Sequence, residues 1–400
     1  MKLLARKKII VMCKIVHVVI FEYYHEGYSY QENLLSQKHK ELGEDVTIIA
    51  LENDGKQSHR GQKLDVGEYY NEYGIRVIVL PKTHHNIHIR RFFDISSGLY
   101  STLNIVAPDI IFLHNFRGTD VRHICKYIRN HPSVKLYVDS HDDYYNEPLD
   151  TFSRRFRSYE WRNYAQKLLP YTIKFWGTIP WREKYLKEVY KIPSSKVDLL
   201  IMGADEKKII GRDKISIRKN VKQHYSIPQD AFLVVSGGKI DKRKQLDLLM
   251  EAVSQMDERV WLLVFGSPTE EMKEIINKYR DTKNIVLTGW VPSDMAYDFF
   301  LASDLAFFPG THSVLWEQAV ACGLPIVVKK WEWIQHIQVC NNAILLEEVT
   351  VESIKEAIDS LLWTSLYDSM IKNAKEAAPN FYLKPIAIKS VGLEDKYGEK

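Results

Sequence analysis

Cysteine is scarce in this chain of 400 residues, and long apolar runs are missing. The four cysteines, Cys13, Cys125, Cys322 and Cys340, include no CxxC pair. This scatter argues against a disulfide framework or a zinc cluster, and it fits a reducing cytosol. Because no stretch offers about 18 uninterrupted apolar residues, we expect no membrane-spanning helix.

Net charge is also small. The chain has 55 Lys and Arg against 51 Asp and Glu, a balance of +4, which disfavours a nucleic-acid-binding protein. The first 14 residues are basic and carry no acid, but Lys14 interrupts the apolar run and no small-residue cleavage site follows Phe21. We therefore expect a basic leader before a buried strand rather than a signal peptide. The protein is expected to be cytoplasmic, with contact to anionic lipid at the inner membrane face as a secondary role.

Short apolar runs alternate with segments of helical periodicity along the whole chain, which predicts an α/β fold. Residues 14–21 and 46–51 enclose a helix over 30–42, so the chain begins with a βαβ unit. A second set of strands and helices begins near residue 200. We predict two tandem Rossmann-like domains, residues 1–202 and 203–375, facing across a cleft. A charged segment, 376–400, is expected to cross back onto the first domain.

A glycine pair follows the predicted strand at 232–236. Gly237 and Gly238 permit a close approach of the backbone to a ligand. Lys239 and Lys244, one at the strand end and one near the next helix, have the charge needed to clamp a diphosphate. The alternative is an exposed basic loop, because Lys242 and Arg243 lie in the same segment.

The sequence of the segment 309–325 predicts a helix whose N-terminus could bind a ligand. Ser313 is placed to cap a helix beginning at Val314, and Gly323 followed by Pro325 ends it. Amides at that start would face a phosphate. Glu317, just past the first turn, could accept hydrogen bonds from two ribose hydroxyls. An acidic side chain there also stabilises a helix without any function.

Two further segments carry candidate residues at strand ends. Gly289, Trp290 and Val291 follow the strand at 285–288 and are candidates to contact a nucleobase, although Trp290 could equally be a core aromatic. His141 follows the strand at 135–139, with three carboxylates nearby. It could contact a sugar, hold a divalent metal together with those carboxylates, or serve only as a strand-end histidine.

The order of the segments 237–244, 287–291 and 309–325 resembles the donor-binding half of retaining glycosyltransferase family 4, the glycosyl transferases group 1. The resemblance implies the two-domain GT-B fold and catalysis without a bound metal or other cofactor. It implies roles for residues that match the family pattern or lie beside it. The residues implied in catalysis are His141, Glu317, Lys239 and Lys244. The residues implied in donor binding are Gly238, Lys239, Lys244, Gly289, Trp290, Val291, His312, Ser313, Val314 and Glu317. The loop near the acceptor would contain Gly27 and Tyr28.

The chain departs from the family pattern at one position. The family has two glutamates separated by seven residues, and Pro309 stands where the first is expected. His312 and Ser313 are candidates to take over its contact with the donor sugar. In addition, Lys239 stands where the family usually has an arginine, and lysine cannot form the planar two-pronged contact of a guanidinium.

The resemblance implies transfer of a hexose, with retention, from a UDP- or GDP-sugar to a glycan or lipid-linked acceptor. A role in surface polysaccharide biosynthesis would follow. A nucleotide-sugar epimerase on the same fold and a non-catalytic nucleotide-sugar binding protein are the alternatives. Residues 151–168 interleave five basic residues and one acid with aromatics, which is typical of a helix on an anionic membrane or of a helix with its aromatics in the core.

Overall fold

The computed structural model describes residues 12–22, 24–27, 30–55, 63–83, 93–332 and 334–398. It divides into two compact units, Met1–Ile201 together with Pro385–Lys400, and Met202–Lys384. Each unit has its own sheet and its own apolar core. None of the described helices combines the length and the apolar character that crossing a membrane would require.

The first unit is built on an eight-stranded sheet within the described residues, in the order β3-β4-β2-β1-β5-β6-β7-β8. Neighbouring strands are parallel except β3, which runs antiparallel to β4. The strands are β1 (Lys14–Val19), β2 (Asp45–Leu51), β3 (Gly67–Tyr70), β4 (Arg76–Leu80), β5 (Ile110–His114), β6 (Lys135–Ser140), β7 (Thr172–Gly177) and β8 (Val197–Leu199). The helices are α1 (Gln31–Glu41), α2 (Leu99–Val106), α3 (Val121–Asn130), α4 (Phe152–Leu168) and α5 (Pro180–Glu188).

The second unit has a six-stranded, all-parallel sheet within its described residues, in the order β11-β10-β9-β12-β13-β14. The strands are β9 (Phe232–Gly237), β10 (Val260–Phe265), β11 (Ile285–Gly289), β12 (Leu305–Phe308), β13 (Ile326–Lys329) and β14 (Ala343–Leu346). The helices are α6 (Lys214–His224), α7 (Leu246–Ser254), α8 (Glu270–Asn277), α9 (Ser293–Ala302), α10 (Leu315–Ala321), α11 (Val351–Asp359) and α12 (Ser365–Ala377).

The central strands are buried on both faces, which is why they read as continuous apolar runs. Every residue of β9, β10 and β12 is buried. The α/β fold predicted from the alternating pattern is therefore confirmed. In each sheet the strand order reverses beside the unit's first strand, between β1 and β5 and between β9 and β12. In open α/β sheets, ligands bind beyond the carboxyl ends of the strands at such a reversal.

The end of the chain packs on the first unit. Helices α13 (Leu383–Ser390) and α14 (Glu394–Tyr397) complete the described chain. The carbonyl oxygen of Ser390 accepts a hydrogen bond of 3.0 Å from the indole of Trp176. Lys396 forms an ion pair with Glu44, and the hydroxyl of Tyr397 donates to the carbonyl oxygen of Leu42 at 2.8 Å.

Candidate functional site

Glycine turns tie together the carboxyl ends of β9, β10 and β11. The Gly238 amide donates to the carbonyl of Phe265 at 3.0 Å, and the Gly266 amide donates to the carbonyl of Gly289 at 2.7 Å. Gly266 has a positive φ of 120°, and a Cβ there would collide with the carbonyl oxygen of Gly238. Gly238 also has positive φ, at 106°. These turns therefore need glycine, and they leave backbone groups at a sheet edge where a ligand can approach closely.

The two lysines of the predicted clamp differ in exposure. Lys239 is exposed on the turn after β9. Lys244 is partly buried, and its ammonium donates to the carbonyl oxygens of Thr311, at 2.7 Å, and His312, at 3.2 Å. Burial lowers the pKa of Lys244 to about 8. Lys244 thus holds the loop after β12, while Lys239 faces solvent.

The loop after β12 packs closely against the segment that carries Lys244. A Cβ on Gly310 would collide with the carbonyl oxygen of Arg243 and the backbone of Lys244, so the close approach depends on glycine. The amide of Thr311 donates to the carbonyl of Arg243 at 3.0 Å, and the indole of Trp331 donates to the carbonyl of Gly310 at 3.1 Å. The loop that presents His312 is therefore anchored from two sides.

Glu317 is the centre of a buried polar cluster. Its side chain is fully buried, and Oε1 accepts from Nε2 of His312 at 2.7 Å and from Nε2 of His336 at 3.0 Å. Burial opposes ionisation of the carboxyl, but the charge of His312 and the two hydrogen bonds lower the pKa of Glu317 to about 2. Glu317 is therefore a carboxylate at neutral pH.

Three polar atoms of this cluster have no hydrogen-bond partner among the described residues: Oε2 of Glu317, Nδ1 of His336 and Oγ of Ser313. Buried polar groups are ordinarily paired, so such a group calls for a specific explanation. A ligand carrying hydroxyl groups would satisfy Oε2 of Glu317.

Glu317 and the two histidines bonded to it have the ligand types of a metal site. One ligand atom from each of His312, Glu317 and His336 lies within 4.8 Å of the others. Two imidazoles and a carboxylate suit a first-row transition ion such as Zn²⁺. In the geometry seen, each Nε2 instead donates its hydrogen to Oε1, so an ion would have to displace both of these protons.

The predicted cap of this helix is wrong. α10 begins at Leu315, its N-cap is Val314, and no side chain caps it. Val314 has αR dihedral angles, and the Oγ atom of Ser313 is buried without a partner rather than bonded to a helix amide. The predicted phosphate site at the amides of this seven-residue helix stays a prediction.

The base-contact candidates follow β11. Trp290 is 58% exposed, so the alternative that it is a core aromatic is wrong. Val291 beside it is half-buried. Gly289 has a φ of 71°, and its Cα faces open space. This turn presents an aromatic face to solvent next to the glycine turns of β9 and β10.

In the first unit, His141 follows β6 with 27% of its side chain exposed. Its Nε2 lies 3.7 Å from Oδ2 of Asp139, and its Nδ1 lies 3.4 Å from a guanidinium nitrogen of Arg182. Burial alone would lower the pKa of His141, but the hydrogen bond and charge of Asp139 raise it. The long contact to Arg182 is the one that a sugar hydroxyl could replace.

The carboxylates around His141 do not form the metal site that their sequence allowed. Asp142 pairs with Arg117 and with Tyr190, and Asp143 pairs with Arg182 at 3.2 Å. Within the described ranges, His312, Glu317 and His336 are the only three-residue cluster with metal-ligand spacing.

The predicted acceptor loop is described in part. Gly27 lies in a turn with a φ of 71°. Tyr28 lies outside the described residues. Gln31 and Glu32 begin α1, inside the helix predicted over 30–42.

His336 was missed by the sequence analysis. It lies in a short 3-10 turn, Gln335–Ile337, 19 residues after Glu317. Nothing in the local sequence indicates its role, since only the packing of this turn against α10 brings the two side chains together.

Residues 217–377 match the family model described as glycosyl transferases group 1. No curated protein sequence matches the chain. Many solved structures are similar, among them the following three. Sucrose-phosphate synthase from Thermosynechococcus elongatus is 14% identical, with a TM-score of 0.66 over 94% of this chain and 97% of that one. HepE from Anabaena in complex with UDP is 13% identical, with a TM-score of 0.69 over 94% and 98%. WaaG, a glycosyltransferase involved in lipopolysaccharide biosynthesis, is 16% identical, with a TM-score of 0.63 over 96% and 100%. The fold is therefore that of the GT-B glycosyltransferases, with two Rossmann-like domains.

Proposed function

We propose that this protein is a glycosyltransferase that moves a hexose from a UDP- or GDP-sugar to a glycan or lipid-linked acceptor. The observation that carries the proposal is the ionised, buried Glu317, whose Oε2 has no partner among the described residues. It lies inside the segment that matches the group 1 family model, and two of the similar structures, both of HepE, are named as complexes with UDP and with UDP-glucose.

In the proposed donor complex, Oε2 of Glu317 accepts hydrogen bonds from the ribose hydroxyls. Each hydrogen bond to a charged group contributes about 1.5–3 kcal/mol. The exposed Lys239 pairs with the diphosphate, and Gly238 and Gly289 let the backbone approach the nucleotide. Trp290 stacks on the base. Lys244 contributes indirectly, because it holds the loop that carries His312.

The chemistry proposed is charge stabilisation and positioning, without a metal. Lys239 neutralises charge that develops on the departing diphosphate. His141 hydrogen-bonds the transferred sugar through Nδ1. The anomeric configuration is retained in this proposal, and the product serves surface polysaccharide synthesis.

Calorimetry tests the donor site. The full chain is titrated with UDP, GDP, ADP and CMP, each with and without Mg²⁺ or Zn²⁺. Saturable binding of one diphosphate, unchanged by metal, supports the proposal. Binding that appears only with Zn²⁺ would move His312, Glu317 and His336 from nucleotide contact to metal binding. No binding of any nucleotide would overturn the donor site.

Turnover distinguishes the alternatives. With the matching nucleotide sugar and an acceptor mixture, the expected result is a glycosylated product whose anomeric proton coupling matches that of the donor. Isomerisation of the donor without acceptor would indicate an epimerase, and tight binding without turnover would indicate a binding protein. His141→Ala is expected to keep nucleotide affinity but to slow transfer by about 100-fold. Full activity of that variant would reduce His141 to a structural residue.

We also propose that α4 contacts an anionic membrane surface. Phe152, Phe156 and Tyr159 are 85%, 44% and 58% exposed. Trp161 and Tyr164 pack against the core of the first unit, so the core alternative holds for the second half of the helix. A basic helix with exposed aromatics binds at the lipid interface.

The membrane test is partition of the protein into vesicles with and without anionic lipid. The variant Phe152→Ser with Arg155→Ala should lose binding to the anionic vesicles. Ile215→Ser, at a residue of α6 in the second unit that is 84% exposed, is the control. Equal partitioning of both variants and the parent would contradict the membrane proposal.

A further inference from the structure

Three buried histidines form a continuous hydrogen-bonded line beneath His141. Nε2 of His39 lies 2.8 Å from the carbonyl oxygen of Ala387, and Nδ1 of His39 lies 3.0 Å from Nε2 of His17. Nδ1 of His17 lies 3.0 Å from Nε2 of His114, and Nδ1 of His114 lies 2.8 Å from Oδ2 of Asp139. The three imidazoles are 0%, 0% and 2% exposed, and Asp139 is 0% exposed.

Counting hydrogens along this line sets its charge. It has four contacts, and each needs one N–H hydrogen. Three neutral imidazoles supply three, because a neutral ring carries one N–H. The oxygen of Ala387 can only accept, as can an ionised Asp139. One ring must therefore carry a second proton, or one buried contact sets two acceptors against each other.

Neighbouring groups locate that extra proton. The Oγ atom of Ser390 lies 2.8 Å from the carbonyl oxygen of Ala387 and 3.2 Å from Nε2 of His39. Its single hydrogen is donated over the shorter contact to Ala387, so toward His39 this hydroxyl can only accept. Burial, and then the neighbouring imidazoles, lower the pKa of His17 well below its usual value, and burial lowers the pKa of His39 to about 4. Burial opposes ionisation of Asp139, yet the charge and hydrogen bond of His114 lower its pKa. The doubly protonated ring is thus His114, against the carboxylate.

We propose that His17, His39 and His114 are a buried relay that stores one proton and pairs it with Asp139, which makes His114 a positioning residue for His141. The relay consists of hydrogen bonds within the first unit, so its existence does not depend on the proposed sugar transfer. Its effect on catalysis rests on the proposed role of His141. Three of the four hydrogen bonds point away from Asp139: His114 donates to His17, His17 to His39, and His39 to the carbonyl oxygen of Ala387. The fourth, from Nδ1 of His114, points toward Asp139.

The consequence for His141 is electrostatic. When His114 is positive, its charge balances the negative charge of Asp139. His141 then lies beside an ion pair that has no net charge. Without that charge, the carboxylate would favour a protonated His141. Other charged groups act on these sites: Glu32 on His114, Asp139 and His141, Glu44 on His39, and Glu22 and Arg182 on His141. None of them forms one of the four contacts of the line.

Nitrogen-detected NMR of the full chain with labelled histidine tests the proton count directly. At neutral pH, His17 and His39 should each carry a single hydrogen, on Nε2, and His114 should carry hydrogens on both nitrogens. A singly protonated His114, or a hydrogen on Nδ1 of His17, overturns the proposal. This readout does not depend on any substrate, so it is separate from the test of the proposed function.

A variant tests the coupling to His141. His114→Asn keeps an N–H donor near Asp139 but removes the charge, so the titration of His141 should move up by about one pH unit. His131→Asn, at a histidine on the loop after α3 outside the line, is the control and should leave that titration unchanged. An unmoved His141 in His114→Asn would contradict the positioning role. If this variant does not fold, the hydrogen count in the parent protein still decides whether the relay exists.

Discussion

Replacing Glu317 with alanine should destabilise the second unit as well as weaken nucleotide binding. The side chain is fully buried and accepts from both His312 and His336. Alanine removes the shared acceptor of two buried imidazole donors, at about 1–3 kcal/mol each, so we expect a loss of roughly 2–6 kcal/mol. Glu317→Gln keeps a carbonyl acceptor of the same shape and should lose about 1–2 kcal/mol.

The same carboxylate should make stability depend on acid pH. Its pKa is about 2 in the folded protein, against an ordinary value of 4.5 for a glutamate carboxyl. A depressed folded pKa contributes stability that is complete above the unfolded pKa and is lost as pH falls through the folded one. The difference corresponds to about 3 kcal/mol in total, of which roughly 2 kcal/mol is lost by about pH 3.

Urea unfolding followed by tryptophan fluorescence measures both effects. Parent, Glu317→Gln and Glu317→Ala are compared at neutral pH and at several values between about pH 5 and pH 3. The parent should lose about 2 kcal/mol more than Glu317→Gln across that range. Identical pH dependence in the two proteins, or an alanine variant as stable as the parent, would refute the buried-carboxylate reasoning.

Three further predictions address the glycine turns, the two lysines and the exposed tryptophan. Gly266→Ala brings a Cβ against the carbonyl of Gly238 and should lower the free energy of unfolding by at least about 3 kcal/mol. Gly289→Ala places its Cβ in open space and should lower it by about 1 kcal/mol. Equal losses of Tm in the two variants would contradict the steric argument. Lys244→Met should lower both Tm and nucleotide affinity because it frees the loop after β12, while Lys239→Met should lower affinity alone; the same pattern in both variants would contradict their separate roles. Trp290→Ala should leave stability within about 0.5 kcal/mol and weaken nucleotide binding by about tenfold; calorimetry showing unchanged affinity would remove Trp290 from the site.

The local sequence pattern was sufficient to predict strands that are buried on both faces of the sheet. The strands predicted at 46–51 and 232–236 fall within β2 and β9, because buried parallel strands are continuous apolar runs between turn residues. β3, β7, β8 and β14 were not predicted. They lie at or near the sheet edges, and β3, β8 and β14 are only three or four residues long, so their apolar pattern is weak.

Helix starts were less predictable. Serine is a residue type that often caps helices, but Val314 occupies the N-cap position and the hydroxyl of Ser313 is buried. The loop after β12 is held by Lys244 and Trp331 from distant parts of the unit, and those contacts outweigh the local preference of a serine to cap.

The sequence by itself determined the α/β class, the glycine turns after β9 and β11, and the candidacy of Glu317, His141 and Lys244. Each of these depends on residues within a few positions of one another. Tertiary structure decided the partners of these residues. His336 reaches Glu317 across 19 residues, and His17 meets His114 across 97 because β1 and β5 are neighbours in the sheet. These long-range contacts decide which side chains are charged and which buried polar atoms lack a partner, because both depend on burial and on hydrogen-bond partners. No local sequence pattern encodes which strands become neighbours.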